Sequence, residues 1–64
     1  MKLNEKELHV LDWLSKGKKY DEIANLLEIK PNAVKQRCFI IKNKLGTSTL
    51  AGAVSLAFRK GLIS

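Results

Sequence analysis

Sixty-four residues permit one small domain; a chain of that size buries only about 60% of its unfolded surface, too little for a deep catalytic cleft. With 45% hydrophobic and 28% charged residues the composition is that of a globular domain, no apolar run reaches the ~20 residues of a membrane span, and a single cysteine and single histidine exclude an internal disulfide, a Cys-based zinc site and a His cluster. The formal charge of +6 is unevenly spread: all six acids lie within residues 1–28, facing five lysines, whereas residues 29–64 hold seven bases and no acid, a distribution that suits a polyanionic partner.

Asn4 is a good N-cap, and Glu7 three residues on completes a capping-box pattern, with Leu3 and Leu8 at the positions of a hydrophobic staple. Leu8, Leu11 and Leu14, with Val10 alongside, recur at helical spacing until Gly17 supplies a stop. The first helix is therefore expected over about residues 5–16. A second is expected over 20–27, with Ile23, Leu26 and Leu27 as its apolar stripe, Ala24 at a close contact, and Asp21 and Glu22 in the first turn, where negative charge suits the helix dipole.

Glu28, Ile29 and Lys30 make a tight connection, and Pro31 fits the first position of a third helix, over 31–45. Its buried face is expected to carry Val34, Cys38, Ile41 and Leu45; its outer face shows Lys35, Gln36, Phe39, Lys42 and Asn43. Gly46 ends it, and Thr47, Ser48 and Thr49 offer caps for a fourth helix over 50–60, with Ala53, Val54 and Ala57 buried. Gly61 stops that helix, and Leu62 and Ile63 are expected to fold back as an apolar plug. The fold class is all-α with four helices.

Two helices joined by a three-residue turn form a helix-turn-helix, whose second helix can enter a DNA major groove. Lys35 can donate to guanine O6 and N7 and Gln36 can pair with adenine, while the amino-terminal end of the third helix offers N–H groups to phosphate. Three- and four-helix domains with no DNA role share this pattern. Cys38 reads as a packed hydrophobe, His9 as a surface residue and Trp13 as a core or edge contributor. No acid/base pair and no nucleophile beside a base supports catalysis, so no enzyme, metal or cofactor is expected.

From Leu3 to Ile63 the chain resembles the LuxR/GerE-type helix-turn-helix domain of bacterial transcription regulators. The resemblance rests on Leu3 with Glu7, Val10-Leu11, Gly17, Glu22-Ile23-Ala24, Leu27 with Ile29, Val34-Lys35, Ile41, Lys44-Leu45-Gly46, Ala53-Val54, Ala57 and Gly61-Leu62-Ile63, all at fixed spacing without a gap. It implies a four-helix domain that binds double-stranded DNA as a homodimer on an inverted repeat, with helix three for recognition and helix four for dimerisation. Base contacts carry over to Lys35, Gln36 and Phe39; backbone contacts are expected at Lys30, Arg37, Lys42, Lys44 and Tyr20. Helical spacing puts Gly52, Ser55, Leu56 and Arg59 on the expected dimer face.

The chain departs from the family pattern at several positions. Lys19 and Lys30 stand where the family caps helices with Ser or Thr; Ala33 replaces a Thr, Arg37 a His, and Leu50-Ala51 an Arg-Thr pair; Phe39 and Ile40 occupy positions that are commonly polar. That apolar pair supports an alternative function, a protein-interaction module that pairs with a related regulator and blocks its DNA binding. In a DNA reader Phe39 would meet a thymine methyl; in the module, Phe39 and Ile40 would enter a partner's pocket. The single thiol suits a reducing cytoplasm, no charged-then-apolar leader is seen, and neither a membrane nor a small-molecule ligand is expected within the chain. Met1 stands just before the first family residue, which leaves a stand-alone protein and an excised domain both open.

Overall fold

The computed structural model describes residues 2–64. Four helices follow one another: α1 (Glu5–Ser15), α2 (Tyr20–Leu27), α3 (Pro31–Leu45) and α4 (Leu50–Arg59). Among the described residues there is no strand. Helices α2 and α3 pack against each other across their short turn, while α4 packs against both α1 and α3 and closes the core. The core takes Val10 and Leu11 from α1, Ile23 and Ala24 from α2, Val34, Cys38 and Ile41 from α3, and Ala53 and Ala57 from α4, with Ile63 from the tail. The two alanines let α4 approach closely where larger side chains would hold it off.

Each helix start is built in its own way. Asn4 and Glu7 make the expected reciprocal box: the Asn4 side chain accepts from the Glu7 N–H at 2.8 Å, and Glu7 Oε1 accepts from the Asn4 N–H at 2.8 Å. At α2 only half of such a box exists. Glu22 accepts from the Lys19 N–H at 2.9 Å, but an ammonium has no lone pair with which to return the bond. Helix α3 begins on Lys30 with no side-chain cap, and Pro31 removes one orphan donor instead. Thr49 Oγ1 accepts from the Gly52 N–H at 2.9 Å and starts α4.

All four helices end in the same way. After each, a residue in the left-handed region donates to the carbonyl three back, and the next residue donates to the carbonyl five back, which is the Schellman closure. Gly17, Gly46 and Gly61 occupy that position in α1, α3 and α4, with φ between 69° and 85°. Helix α2 ends instead on Glu28 at φ 57°, the only non-glycine residue with positive φ among those described. The strained position is thus the first residue of the turn that joins α2 to α3.

Three expectations need correction. Leu26 is 53% exposed: the buried face of α2 is Tyr20, Ile23, Ala24 and Leu27, and Leu26 lies about 100° round from its centre, as 3.6 residues per turn dictates. Leu62 remains 40% exposed, so the tail plugs the core with Ile63 alone. Helices α1 and α4 each stop one residue short of the expected end, at Ser15 and Arg59, because residues 16 and 60 already belong to the closing turns.

Candidate nucleic-acid interface

Helix α3 has two unlike faces. Val34, Cys38 and Ile41 are buried and pin it against the rest of the core. On the opposite side Lys35, Gln36, Phe39 and Ile40 are exposed and together line one shallow depression. Spacings of one, three and four residues bring these four side chains onto a single strip in the amino-terminal two-thirds of the helix. The structure therefore brings together the three expected base-reading residues, Lys35, Gln36 and Phe39, and adds Ile40 to them.

Around this strip the basic residues divide. Lys30 is exposed at the start of α3 and Lys42 is half-buried in its last turns; neither belongs to a salt bridge among the described residues. Of the other three expected backbone contacts, Lys44 is paired within the domain, and Arg37 and Tyr20 are half-buried. Lys44 Nζ donates to Glu7 Oε1 at 2.8 Å in a pair that is largely shielded from solvent. Arg37 is half-buried, and its charge is felt by the same Glu7. Tyr20 is half-buried, and burial first and then the Cys38 thiol push its phenol up.

Glu7 is the functional-looking acid that the sequence pattern presented only as a capping residue. Burial alone would push its carboxyl up. The Lys44 ammonium, the Asn4 N–H and the charge of Arg37 outweigh that penalty and hold it below its ordinary value of 4.5. The signal was present in the spacing: Arg37 and Lys44 are seven residues apart and so share one face of α3. Through Lys44 that face meets α1. Cys38 is free and buried, and burial pushes its thiol up, which makes it inert packing material.

Helix α4 also differs from expectation. Gly52 is half-buried: a Cβ there would lie 3.0 Å from Thr49 Oγ1 and 3.7 Å from Thr47 Cβ, so the glycine makes room for its own N-cap. Leu56 is half-buried, and only Ser55 and Arg59 of the expected dimer face are exposed. The outer surface of α4 runs instead through Ala51, Ser55 and Phe58 together with Val54, which is half-buried rather than buried as expected, and forms a groove with Leu14 and Ser15 of α1 and with Leu50 and Arg59. Phe58, 48% exposed, was not singled out from the sequence; its place at i+4 from Val54 and i+7 from Ala51 marks the face.

No group of three or more His, Cys, Asp or Glu that could hold a metal is found among the described residues, and no described helix is long and apolar enough to cross a membrane.

Comparisons with known proteins agree with this architecture. The GerE family model, of bacterial regulatory proteins of the luxR family, matches residues 1–57. The chain is 40% identical over 62 residues to the transcriptional regulatory protein YdfI of Bacillus subtilis (strain 168), an alignment that covers 97% of this chain and 29% of that relative. No solved structure matches the chain. The family is one of DNA-binding, non-enzymatic regulators, and with its helix-turn-helix, its four closures and its family match over 57 of 64 residues, this chain belongs to the LuxR/GerE family of bacterial regulatory proteins.

Proposed function

We propose that this domain binds double-stranded DNA in a sequence-specific manner and regulates transcription, with α3 in the major groove. The observation that carries the reading is the exposed strip of Lys35, Gln36 and Phe39 on the second helix of the α2–α3 pair, in a segment of 36 residues with seven bases and no acid. Lys35 donates to guanine and Gln36 pairs with adenine, the two best-matched edges for those side chains. Lys30 and Lys42 fix the register by holding phosphates on either side. A DNA reader of this kind works in the cytoplasm, where the Cys38 thiol stays reduced.

Two copies meet across α4 and set two α3 helices into successive major grooves of an inverted repeat. The groove through Ala51, Val54, Ser55 and Phe58 supports this reading better than the Gly52 side of the helix. One short helix offers a small contact, so the dimer is weak free in solution and forms on DNA.

The test is a selection of bound sequences from a randomised duplex pool, followed by binding of wild type and Gln36→Ala to the enriched duplex and to random DNA. Enrichment of a half-site, with Gln36→Ala losing its preference for that site, is the expected result. Absence of enrichment, together with capture of a related regulator through Phe39 and Ile40, would favour the interaction-module reading, for which the exposure of those two side chains is the supporting observation.

A further inference from the structure

We propose that Phe39, with Ile40 beside it, selects the C5 methyl group of a pyrimidine in the major groove, the group carried by thymine and by 5-methylcytosine. The proposal rests on the reading of α3 as the DNA-facing helix and adds the chemistry that its apolar end recognises.

Phe39 is 61% exposed and Ile40 45% exposed, adjacent on a helix whose other exposed positions are polar or proline. Apolar surface left open on so small a domain asks for something to cover it. The neighbours decide what covers it. Phe39 and Ile40 share their depression with Lys35 and Gln36, so an occupant must accept a charge and an amide as well as an apolar surface. A protein pocket deep enough for Phe39 would strip water from the Lys35 ammonium with no acceptor assured for it. A major groove supplies all three needs along one edge: acceptors on guanine for Lys35, the paired donor and acceptor of adenine for Gln36, and, as its one apolar group, the methyl at C5 of thymine. The phenyl ring has no hydrogen-bonding group, so the methyl is the only feature of a base edge that it can distinguish.

The spacing agrees. Three residues advance about 4.5 Å along a helix at 1.5 Å each, and base pairs follow one another at about 3.4 Å. Gln36 and Phe39 therefore address neighbouring base pairs rather than one. Ile40, about 100° round from Phe39, walls one side of the methyl and excludes water from it.

The test starts from the duplex enriched in the selection described above. Each thymine in it is replaced, one at a time, by deoxyuridine, which removes the methyl and keeps every hydrogen-bonding group. Binding of the 64-residue chain is then measured beside Phe39→Ala, a variant that leaves the buried face of α3 untouched. One or two replacements should weaken wild type about fourfold, the transfer value of one buried methyl, and leave Phe39→Ala unaffected. At the same position, 5-methylcytosine should bind wild type better than cytosine by a similar factor. If no single replacement weakens wild type, or if wild type and Phe39→Ala weaken alike, the methyl assignment is overturned while DNA reading stands. If no duplex is enriched at all, the reading of α3 falls and takes this proposal with it.

Discussion

Lys44, in the last turn of α3, donates to Glu7 Oε1 in the first turn of α1 at 2.8 Å, a contact between residues 37 positions apart in the chain. The same carboxylate oxygen accepts from the Asn4 N–H. One acid thus starts α1 and holds down the far end of α3. Because the pair is shielded from solvent, removal of one partner leaves the other under-compensated.

Lys44→Met should therefore destabilise the domain by about 2–4 kcal/mol, and Glu7→Gln, which can still accept from Asn4, by about 1–3 kcal/mol. Urea unfolding at neutral pH measures both. If Lys44→Met costs less than a few tenths of a kcal/mol, the ion pair is not a structural element and Lys44 returns to the list of phosphate contacts.

The same pair sets an acid limb. The Glu7 carboxyl is held below its ordinary value of 4.5 in the folded state, so the unfolded chain takes up its proton first as pH falls. The stability it contributes is complete above that ordinary value and is lost as pH drops from about 4.5 through the lower folded value. Wild type should lose stability across that window, and Glu7→Gln should lose less of it. Parallel acid limbs for the two proteins, read from thermal unfolding between neutral and strongly acid pH, would contradict the linkage.

Glu28 offers a prediction of the opposite sign. It closes α2 at φ 57°, in the position that glycine fills after the other three helices. A side chain there costs about 1–2 kcal/mol, partly offset by the extra freedom glycine has when unfolded. Glu28→Gly should raise stability by up to about 1 kcal/mol and leave α3 where it is. An increase in melting temperature of a few degrees, with DNA affinity unchanged or slightly higher through loss of a negative charge, is the expected outcome. A fall in stability would mean that the Glu28 side chain makes a contact worth more than its backbone strain.

The four helices were legible because each signal was local. Asn4 with Glu7, Pro31 and the glycines at 17, 46 and 61 fall where helix starts and stops need them, and the apolar spacing identifies Val10, Leu11, Ile23, Val34, Cys38, Ile41, Ala53 and Ala57 as core. What escaped depended on contacts distant in sequence. Lys44 looks like any other cation on α3 until α1 brings Glu7 to it. Gly52 looks like space for a partner helix until Thr49 and Thr47 fold over it. Periodicity gives a face but not which neighbour covers it, and that missing step moved the apolar surface of α4 from the Gly52 side to the Phe58 side.

The cations make a graded prediction once Lys44 is assigned to Glu7. Lys30→Ala and Lys42→Ala should each weaken cognate and random duplexes alike and flatten the dependence of log K on log salt by about one unit. Lys44→Ala should leave the slope unchanged when binding is corrected for the folded fraction. Gln36→Ala should keep the slope and lose about 1–3 kcal/mol on the cognate half-site only. Titrations at several salt concentrations separate these outcomes, and equal losses for Gln36→Ala on cognate and random DNA would remove it from base reading.

The last prediction concerns the proposed contact between two copies. Phe58 lies in the groove formed by Val54, Ala51 and Leu14, and at 48% exposure it is open enough to change without emptying the core. Phe58→Glu places a charge in the middle of an apolar contact, where two such charges would face each other across a two-fold axis. The variant should bind a single half-site as wild type does and lose the tighter binding that a second half-site at one helical turn confers. Gly52→Ala should behave differently. Its new Cβ would sit 3.0 Å from Thr49 Oγ1, so a weakened cap and the better helix propensity of alanine oppose one another; stability should change by less than about 1 kcal/mol and the two-site advantage should stay intact. Measuring both variants on one- and two-half-site duplexes distinguishes the faces: loss of the two-site advantage in Gly52→Ala, with Phe58→Glu unaffected, would put the dimer contact on the other side of α4.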